Sequence, residues 1–264
     1  MKYISSQTNP LFKRLNRLNA SARARRTEQK TIIDGVHLVE EWLRHDLNDV
    51  MVCISEDALD HPEVRTIQDN IREVVIFSRP LFDILSPVAH GVGILGIVDI
   101  PPAKSAAQFS LADDALWIDG VQDNGNIGTM LRTAAAAGVR QVIMSHAADT
   151  AWSPKCLRAA MGAHLSIDFF EAAAVTSALS DHPNIIATSG QAEYTLFETD
   201  LTPPTVWIMG NEGAGVSVQT AALATRAIKI PMNSQIESLN VATASAICLF
   251  EQMRQRRYAA SRNM

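Results

Sequence analysis

The sequence predicts an α/β protein built on a mostly parallel sheet. Short apolar runs of strand length alternate with amphipathic helical stretches through most of the 264 residues, the pattern of strands joined by crossover helices. Three polar loops, two of them glycine-bearing, each fall where an apolar run ends and a helical one begins. Pro101-Pro102 and the polar, Ala-rich stretch to about 112 interrupt the alternation once, and that break separates a first domain, 1–103, from a second, 113–264.

The chain opens with eight basic residues in its first 30 against the single acid Glu28, although the net charge is −5. Positive charge is thus concentrated at the N-terminus, which is expected to act as a basic arm facing nucleic acid. Phe12, Leu15 and Leu18 interleave with these charges at helical spacing. Thr31-Ile32-Ile33 then reads as a strand, and 36–45 as a helix with Val36, Leu38, Val39, Trp42 and Leu43 apolar. Strands follow at 49–55, 74–77 and 91–98, the last with glycines inside it.

After the break, 115–118 reads as a buried strand and 127–137 as a helix, closed by Gly138 where left-handed geometry is wanted. A strand at 140–145, a helix near 155–162 and strands at 185–189, 205–209 and 226–230 come next. The last element is a helix from about 240 to 257, with Val241, Ala244, Ile247, Cys248 and Phe250 available for burial. That is more apolar surface than one sheet face requires, so part of it is expected to pair with a second copy.

Several classes are disfavoured. No Gly-x-Gly-x-x-Gly follows the first strand of either half and no Gly-Lys-Ser/Thr occurs, which argues against dinucleotide and nucleotide-triphosphate loops. Cys53, Cys156 and Cys248 are odd in number and far apart. They suggest neither a disulfide framework nor a zinc pattern and fit a reducing cytoplasm. The His residues show no ligand spacing, so no metal is expected, and no apolar run approaches the length of a membrane span.

The three loops are Asp123-Asn124-Gly125-Asn126-Ile127-Gly128-Thr129-Met130-Leu131-Arg132, Gly210-Asn211-Glu212-Gly213-Ala214-Gly215, and Ile230-Pro231-Met232 through Ser238-Leu239-Asn240-Val241. Together they offer two amides (Asn126, Asn240), a cation (Arg132), a carboxylate (Glu212) and a hydroxyl (Ser238). With no activated Cys or Ser-His pair, such a set binds and orients rather than forming a covalent intermediate.

In order and spacing these loops resemble the three motifs of the SpoU (TrmH) family of RNA 2′-O-ribose methyltransferases. Residues 1–100, through Ser5, Asn9-Pro10-Leu11, Lys13 and the Ile33-Asp34-Gly35-Val36 turn, resemble the ribosomal-protein-like RNA-binding domain that precedes the catalytic domain in many members. The chain departs at Asn124, where many members have Pro, and at Asp34, where Glu is commoner.

The resemblance implies a trefoil-knotted C-terminal domain that binds S-adenosylmethionine. Ile208, Gly210, Ile230, Met232, Ser238 and Leu239 would line its pocket, and Asn126, Arg132, Glu212, Ser238 and Asn240 would serve catalysis. It also implies a homodimer in which Arg132 reaches the partner's site. A guanidinium stays protonated, so Arg132 is cast as a phosphate clamp rather than a base. Structured RNA is the expected partner, ribosomal RNA ahead of transfer RNA. The rival from another class is a non-catalytic RNA-binding protein that retains the fold; a small-molecule methyltransferase would leave the basic segment and the first domain unexplained.

Overall fold

The computed structural model describes residues 2–45, 50–71, 73–86, 91–145 and 150–262. They fall into two compact units, one of residues 1–102 with 149–165 and the other of 103–148 with 166–264. Residues 149–165, which follow the proline break in sequence, therefore cluster with the first unit.

The first unit carries a five-stranded sheet in the order β1-β4-β3-β5-β2, made of β1 (Lys2–Ile4), β2 (Lys30–Asp34), β3 (Met51–Ser55), β4 (Val74–Phe77) and β5 (Ile94–Asp99). β1, β4 and β3 run parallel, but β5 pairs antiparallel with both β3 and β2. The sheet is thus mixed, where strand–helix alternation predicts a parallel one.

The basic segment is no arm. It forms β1, α1 (Pro10–Ala20) and α2 (Ala22–Glu28). Pro10 sits in the first turn of α1, where its missing N–H costs nothing, and the Asn9 side chain caps that turn by accepting from the Leu11 N–H. Phe12, Leu15 and Leu18 enter a core shared with Ile32, Cys53, Phe77 and Leu95. Apolar burial at helical period, not charge, decides the segment's structure. Several of its cations also have intramolecular work: Arg14 and Arg17 pair with Glu28, and Arg25 is buried, donating to the Leu18 carbonyl.

The same unit's other helices are α3 (Val36–Arg44), α4 (Pro62–Gln68), α5 (Arg79–Leu85) and α7 (Pro154–Ala160), and α7 packs on β2. The Thr31 hydroxyl donates to the Trp152 carbonyl, and Arg158 pairs with Asp34, which also accepts from Ser86. Asp34, at a turn expected to face RNA, is thus engaged within the fold and its side chain is almost wholly buried.

The second unit holds a seven-stranded sheet in the order β10-β12-β9-β11-β6-β7-β8, with every neighbouring pair parallel. Its strands are β6 (Ala115–Ile118), β7 (Gln141–Met144), β8 (Asp168–Glu171), β9 (Ile185–Thr188), β10 (Tyr194–Thr195), β11 (Val206–Met209) and β12 (Arg226–Lys229). The helices are α6 (Asn124–Ala137), α8 (Ala172–Val175), α9 (Val218–Ala221) and α10 (Val241–Arg262). The centre of the sheet is apolar on both faces, with Ala115, Trp117, Ile143, Phe170, Val206 and Ile208 in one cluster. Gly138 ends α6 at φ +85°, as its position predicts.

α10 packs against α6 and buries Val241, Cys248 and Leu249, while Trp207 donates its indole N–H to Gln252. At its far end the Arg256 guanidinium forks onto the Asp114 carboxylate. Phe250 stays 43% exposed and Ala244 and Ile247 are half-buried, so part of the helix's apolar surface has no cover among the described residues.

Because the strands are parallel and in register, with Met209 beside Ile118, Ile208 beside Ala187 and Ile228 beside Thr188, the loops after β6, β9, β11 and β12 leave the same edge. The carboxyl edge of an open parallel sheet is where ligands bind.

Candidate active site

The loop after β11 is shaped by a backbone constraint. A Cβ on Gly210 would lie 2.3 Å from both the Gly215 carbonyl carbon and the Val216 nitrogen, so only glycine fits. Asn211 and Gly215 exchange backbone hydrogen bonds of 2.9 Å in each direction, and Asn211 Oδ1 accepts from the Gly213 and Ala214 N–H groups. These bonds close the loop and present Glu212 near its tip.

α6 begins earlier than periodicity suggests. Asp123 caps it, Oδ1 accepting from the Gly125 and Asn126 N–H groups at 2.7 and 3.0 Å, and this places Asn126 in the first turn. Asn240 caps α10 in the same way, its Oδ1 accepting from the Ala242 and Thr243 N–H groups. With that oxygen committed, the Asn240 Nδ2 group donates to Asn126 Oδ1 at 3.0 Å. Asn126 in turn donates from Nδ2 to Glu212 Oε1 at 2.7 Å. The helix cap thus settles which way each amide points along the chain Asn240–Asn126–Glu212. Residues distant in sequence converge on one hydrogen-bonded string ending in an exposed carboxylate.

A cavity of about 620 Å³ adjoins this string, and its walls include Gly210, Glu212, Ile230, Met232, Ser238 and Leu239. That volume suits a cofactor of S-adenosylmethionine size. The lining mixes apolar side chains and the exposed backbone of the glycine loop with charges of both signs, Glu212 and Glu237 against Arg226 and Lys229. A ligand with a sulfonium, an ammonium, a carboxylate and an aromatic base fits such a lining.

Ile208 is not part of the cavity wall. It is fully buried in the sheet core between β9 and β6. Arg132 lies on the exposed side of α6, and among the described residues it makes no ion pair and nothing ties it to the string. Ser238 is exposed on the wall.

Sequence reasoning passed over Thr188, Ser189 and Gly190, which line the cavity at the end of β9 and just after it. The signal was present: a Ser-Gly pair directly after an apolar run, the same strand-end pattern as the loops it did select. Among the described residues no group of His, Cys, Asp and Glu could hold a metal, and no helix is long and apolar enough to cross a membrane.

Residues 115–250 match the SpoU rRNA methylase family. The chain is 36% identical to a 23S rRNA (guanosine-2′-O-)-methyltransferase, RlmB, of Pseudomonas putida, over 85% of this chain and 96% of that one. It is 31% identical to the 23S rRNA (guanosine(2553)-2′-O)-methyltransferase RlmP of Bacillus subtilis, over 95% and 98% of the two chains. The fold matches that of the SpoU methyltransferase AviRb from Streptomyces viridochromogenes, solved in complex with AdoMet, with a TM-score of 0.85 at 23% identity over 94% of this chain and 98% of that one. The glycine loop, the capped asparagines and the cavity they adjoin accordingly sit in a chain that belongs to the SpoU rRNA methylase family.

Proposed function

We propose that this protein transfers a methyl group from S-adenosylmethionine to a ribose 2′-hydroxyl of RNA, with ribosomal RNA as the substrate class. The observation that carries the reading is the Asn240–Asn126–Glu212 string on the wall of a cofactor-sized cavity. The named activities of RlmB and RlmP support the choice of ribosomal over transfer RNA.

Bound S-adenosylmethionine supplies an electrophilic methyl for in-line attack by an oxygen. The chain's own residues position the groups around that attack. The backbone of residues 210–215 and the side chains of Ile230, Met232 and Leu239 hold the cofactor, and Ser238 adds a hydroxyl at the wall. Glu212 uses one carboxylate oxygen on Asn126; the other makes no hydrogen bond among the described residues and is placed to orient the ribose hydroxyl. Arg132 clamps the neighbouring phosphate and offsets negative charge developing on the oxygen. Its exposed position suits delivery into the site of a second subunit, with the uncovered surface of α10 around Phe250 in the homodimer interface.

The same reading takes the segment between β12 and α10 as the thread of a trefoil knot, a departure from the usual absence of knots. That segment lines the cavity together with the 210–215 loop, and Asn240 at its end is bonded to Asn126 of α6. It also takes the first unit as the RNA-binding domain and the cytoplasm as the place of action. The test is calorimetry with S-adenosylmethionine, followed by transfer of labelled methyl to unmodified ribosomal and transfer RNA. One cofactor site per subunit and label on ribosomal RNA support the reading. Label on transfer RNA alone would change the substrate, and no cofactor binding would leave an RNA-binding protein that retains the fold.

A further inference from the structure

The structure assigns Asp119 as a positioning residue: it pins the loop 210–217, which carries Glu212 and the glycine wall of the first cavity. This rests on reading that cavity as the cofactor site. Asp119 directly follows β6, and its backbone N–H donates to the Met209 carbonyl at 2.8 Å, immediately before the loop begins. Asp119 is 4% exposed, and its carboxylate accepts the Ser217 N–H on Oδ2 at 2.7 Å, where the loop ends. The next residue, Gly120, accepts the Asn211 side-chain amide at 2.9 Å, near the loop's start. Two adjacent residues thus grip the loop at its entry, its second residue and its exit.

The grip matters because the tip of the loop, residues 212–215, is exposed and has little packing support. Beyond the first cavity, a second space of about 560 Å³ lies on the other side of the same loop. Asn211, Ala214 and Gly215 line both, and Asp119, Ser145 and Ser217 line the second. Val216 packs on the sheet core, but residues 212–215 are exposed, so the tip of the loop takes its position from hydrogen bonds rather than from side-chain burial. The Asp119 carboxylate has no ion-pair partner among the described residues. It is held by a relay in which Trp117 donates its indole N–H to Ser145 Oγ at 2.7 Å and Ser145 donates to Asp119 Oδ1 at 2.5 Å. A charged acceptor makes a stronger bond to the Ser217 N–H than a neutral amide oxygen would. Burial fixes the rotamer, so the Trp117–Ser145–Asp119 line aims one oxygen at the loop.

The test compares Asp119→Asn and Ser145→Ala with the wild type by amide hydrogen exchange without cofactor, by calorimetry with S-adenosylmethionine, and by steady-state kinetics. Asp119→Asn should speed exchange across 211–217 by about tenfold while leaving β7 and β11 protected. It should also raise the cofactor Kd by about tenfold. The KM for cofactor should follow the Kd, with the KM for RNA unchanged, a split that mere loss of stability would not produce. Ser145→Ala keeps the carboxylate and should give a smaller change in the same direction. A lowered Tm with unchanged loop exchange and unchanged Kd per folded molecule would overturn the assignment. If Asp119→Asn does not fold, Ser145→Ala decides, and normal loop exchange in that folded variant overturns it. If the wild type binds no S-adenosylmethionine, the functional reading fails, while the exchange comparison still tests the pinning on its own.

Discussion

Asn240 and Asn126, 114 positions apart, share a hydrogen bond of 3.0 Å that joins the first turns of two helices, and that bond aims Asn126 at Glu212. The amide of Asn240 caps α10 with its oxygen and orients a neighbour with its nitrogen, so one side chain serves stability and the site together. Asn240→Ala should therefore cost about 1 kcal/mol from the lost cap and also lower kcat, by about tenfold or more through the freed Asn126. Thermal unfolding and methyl-transfer kinetics on the same preparation separate the two losses. A lower Tm with unchanged kcat would reduce Asn240 to a cap.

Gly210→Ala should abolish cofactor binding. The added methyl would sit 2.3 Å from backbone atoms of Gly215 and Val216, which are not the movable end of a side chain. Overpacking of this kind costs about 1–3 kcal/mol or more. A folded variant with unaltered cofactor affinity would contradict the described loop geometry.

Arg132→Ala should remove methylation and leave cofactor affinity within about twofold, with stability changed by no more than about 0.5 kcal/mol, because the side chain is exposed and unpaired among the described residues. Mixing Arg132→Ala with Asn240→Ala subunits asks whether the arginine acts across a dimer. Recovered activity in the mixed species is expected, and no recovery despite demonstrated subunit exchange would place each site within one chain.

Lys2, Lys13 and Arg23 are exposed and have no ion-pair partner among the described residues, unlike Arg14 and Arg17. Replacing all three by Ala should weaken RNA binding and flatten its dependence of log affinity on log salt by roughly 0.7–0.9 for each phosphate no longer neutralised. The cofactor Kd should not move. Point changes are the right probe here, since deleting residues 1–30 would remove β1 and the core side chains Phe12, Leu15 and Leu18.

That correction marks where sequence reading stops. The charge cluster and the helical spacing of Phe12, Leu15 and Leu18 were both legible, but whether those apolar residues had a partner was not, because the partner strands are made of distant residues. The second unit was more transparent: its central strands β6, β9 and β11 are largely apolar runs, and a glycine follows each within two residues. The same continuity misplaced Ile208. When both faces of a strand are buried, alternation cannot say which side chain faces the cavity. The packing of 149–165 with the first unit left no local signal, since α7 is an ordinary amphipathic helix whatever it covers. The Asn240–Asn126–Glu212 string follows from two helix caps, and only Gly-rich strand ends and cap residues hinted at it.

Asp119 also predicts a pH dependence. Burial pushes its carboxyl upward, but hydrogen bonds from Ser145, the Ser217 N–H and the Ser217 and Thr220 hydroxyls outweigh this and hold it below the usual value of 3.8. A carboxyl lowered by folding stabilises the protein above its unfolded pKa, and the gain is lost as pH falls through the lower, folded one. The stability difference between wild type and Asp119→Asn should stay level from neutral pH down to about 5 and shrink below about 4. A difference that grew on acidification would give the shift the opposite sign.

The central claim is that the string ending in Glu212 serves methyl transfer to a ribose hydroxyl. The most direct measurement incubates wild type and Glu212→Gln with S-adenosylmethionine and unmodified ribosomal RNA, then digests the RNA and identifies the methylated nucleosides. The account predicts a 2′-O-methylated nucleoside from the wild type, and at least a hundredfold less from Glu212→Gln, about the loss seen when one preorganised polar group is removed from an active site. Cofactor affinity should be near normal in the variant. A base-methylated product, or full ribose methylation by Glu212→Gln, would contradict it.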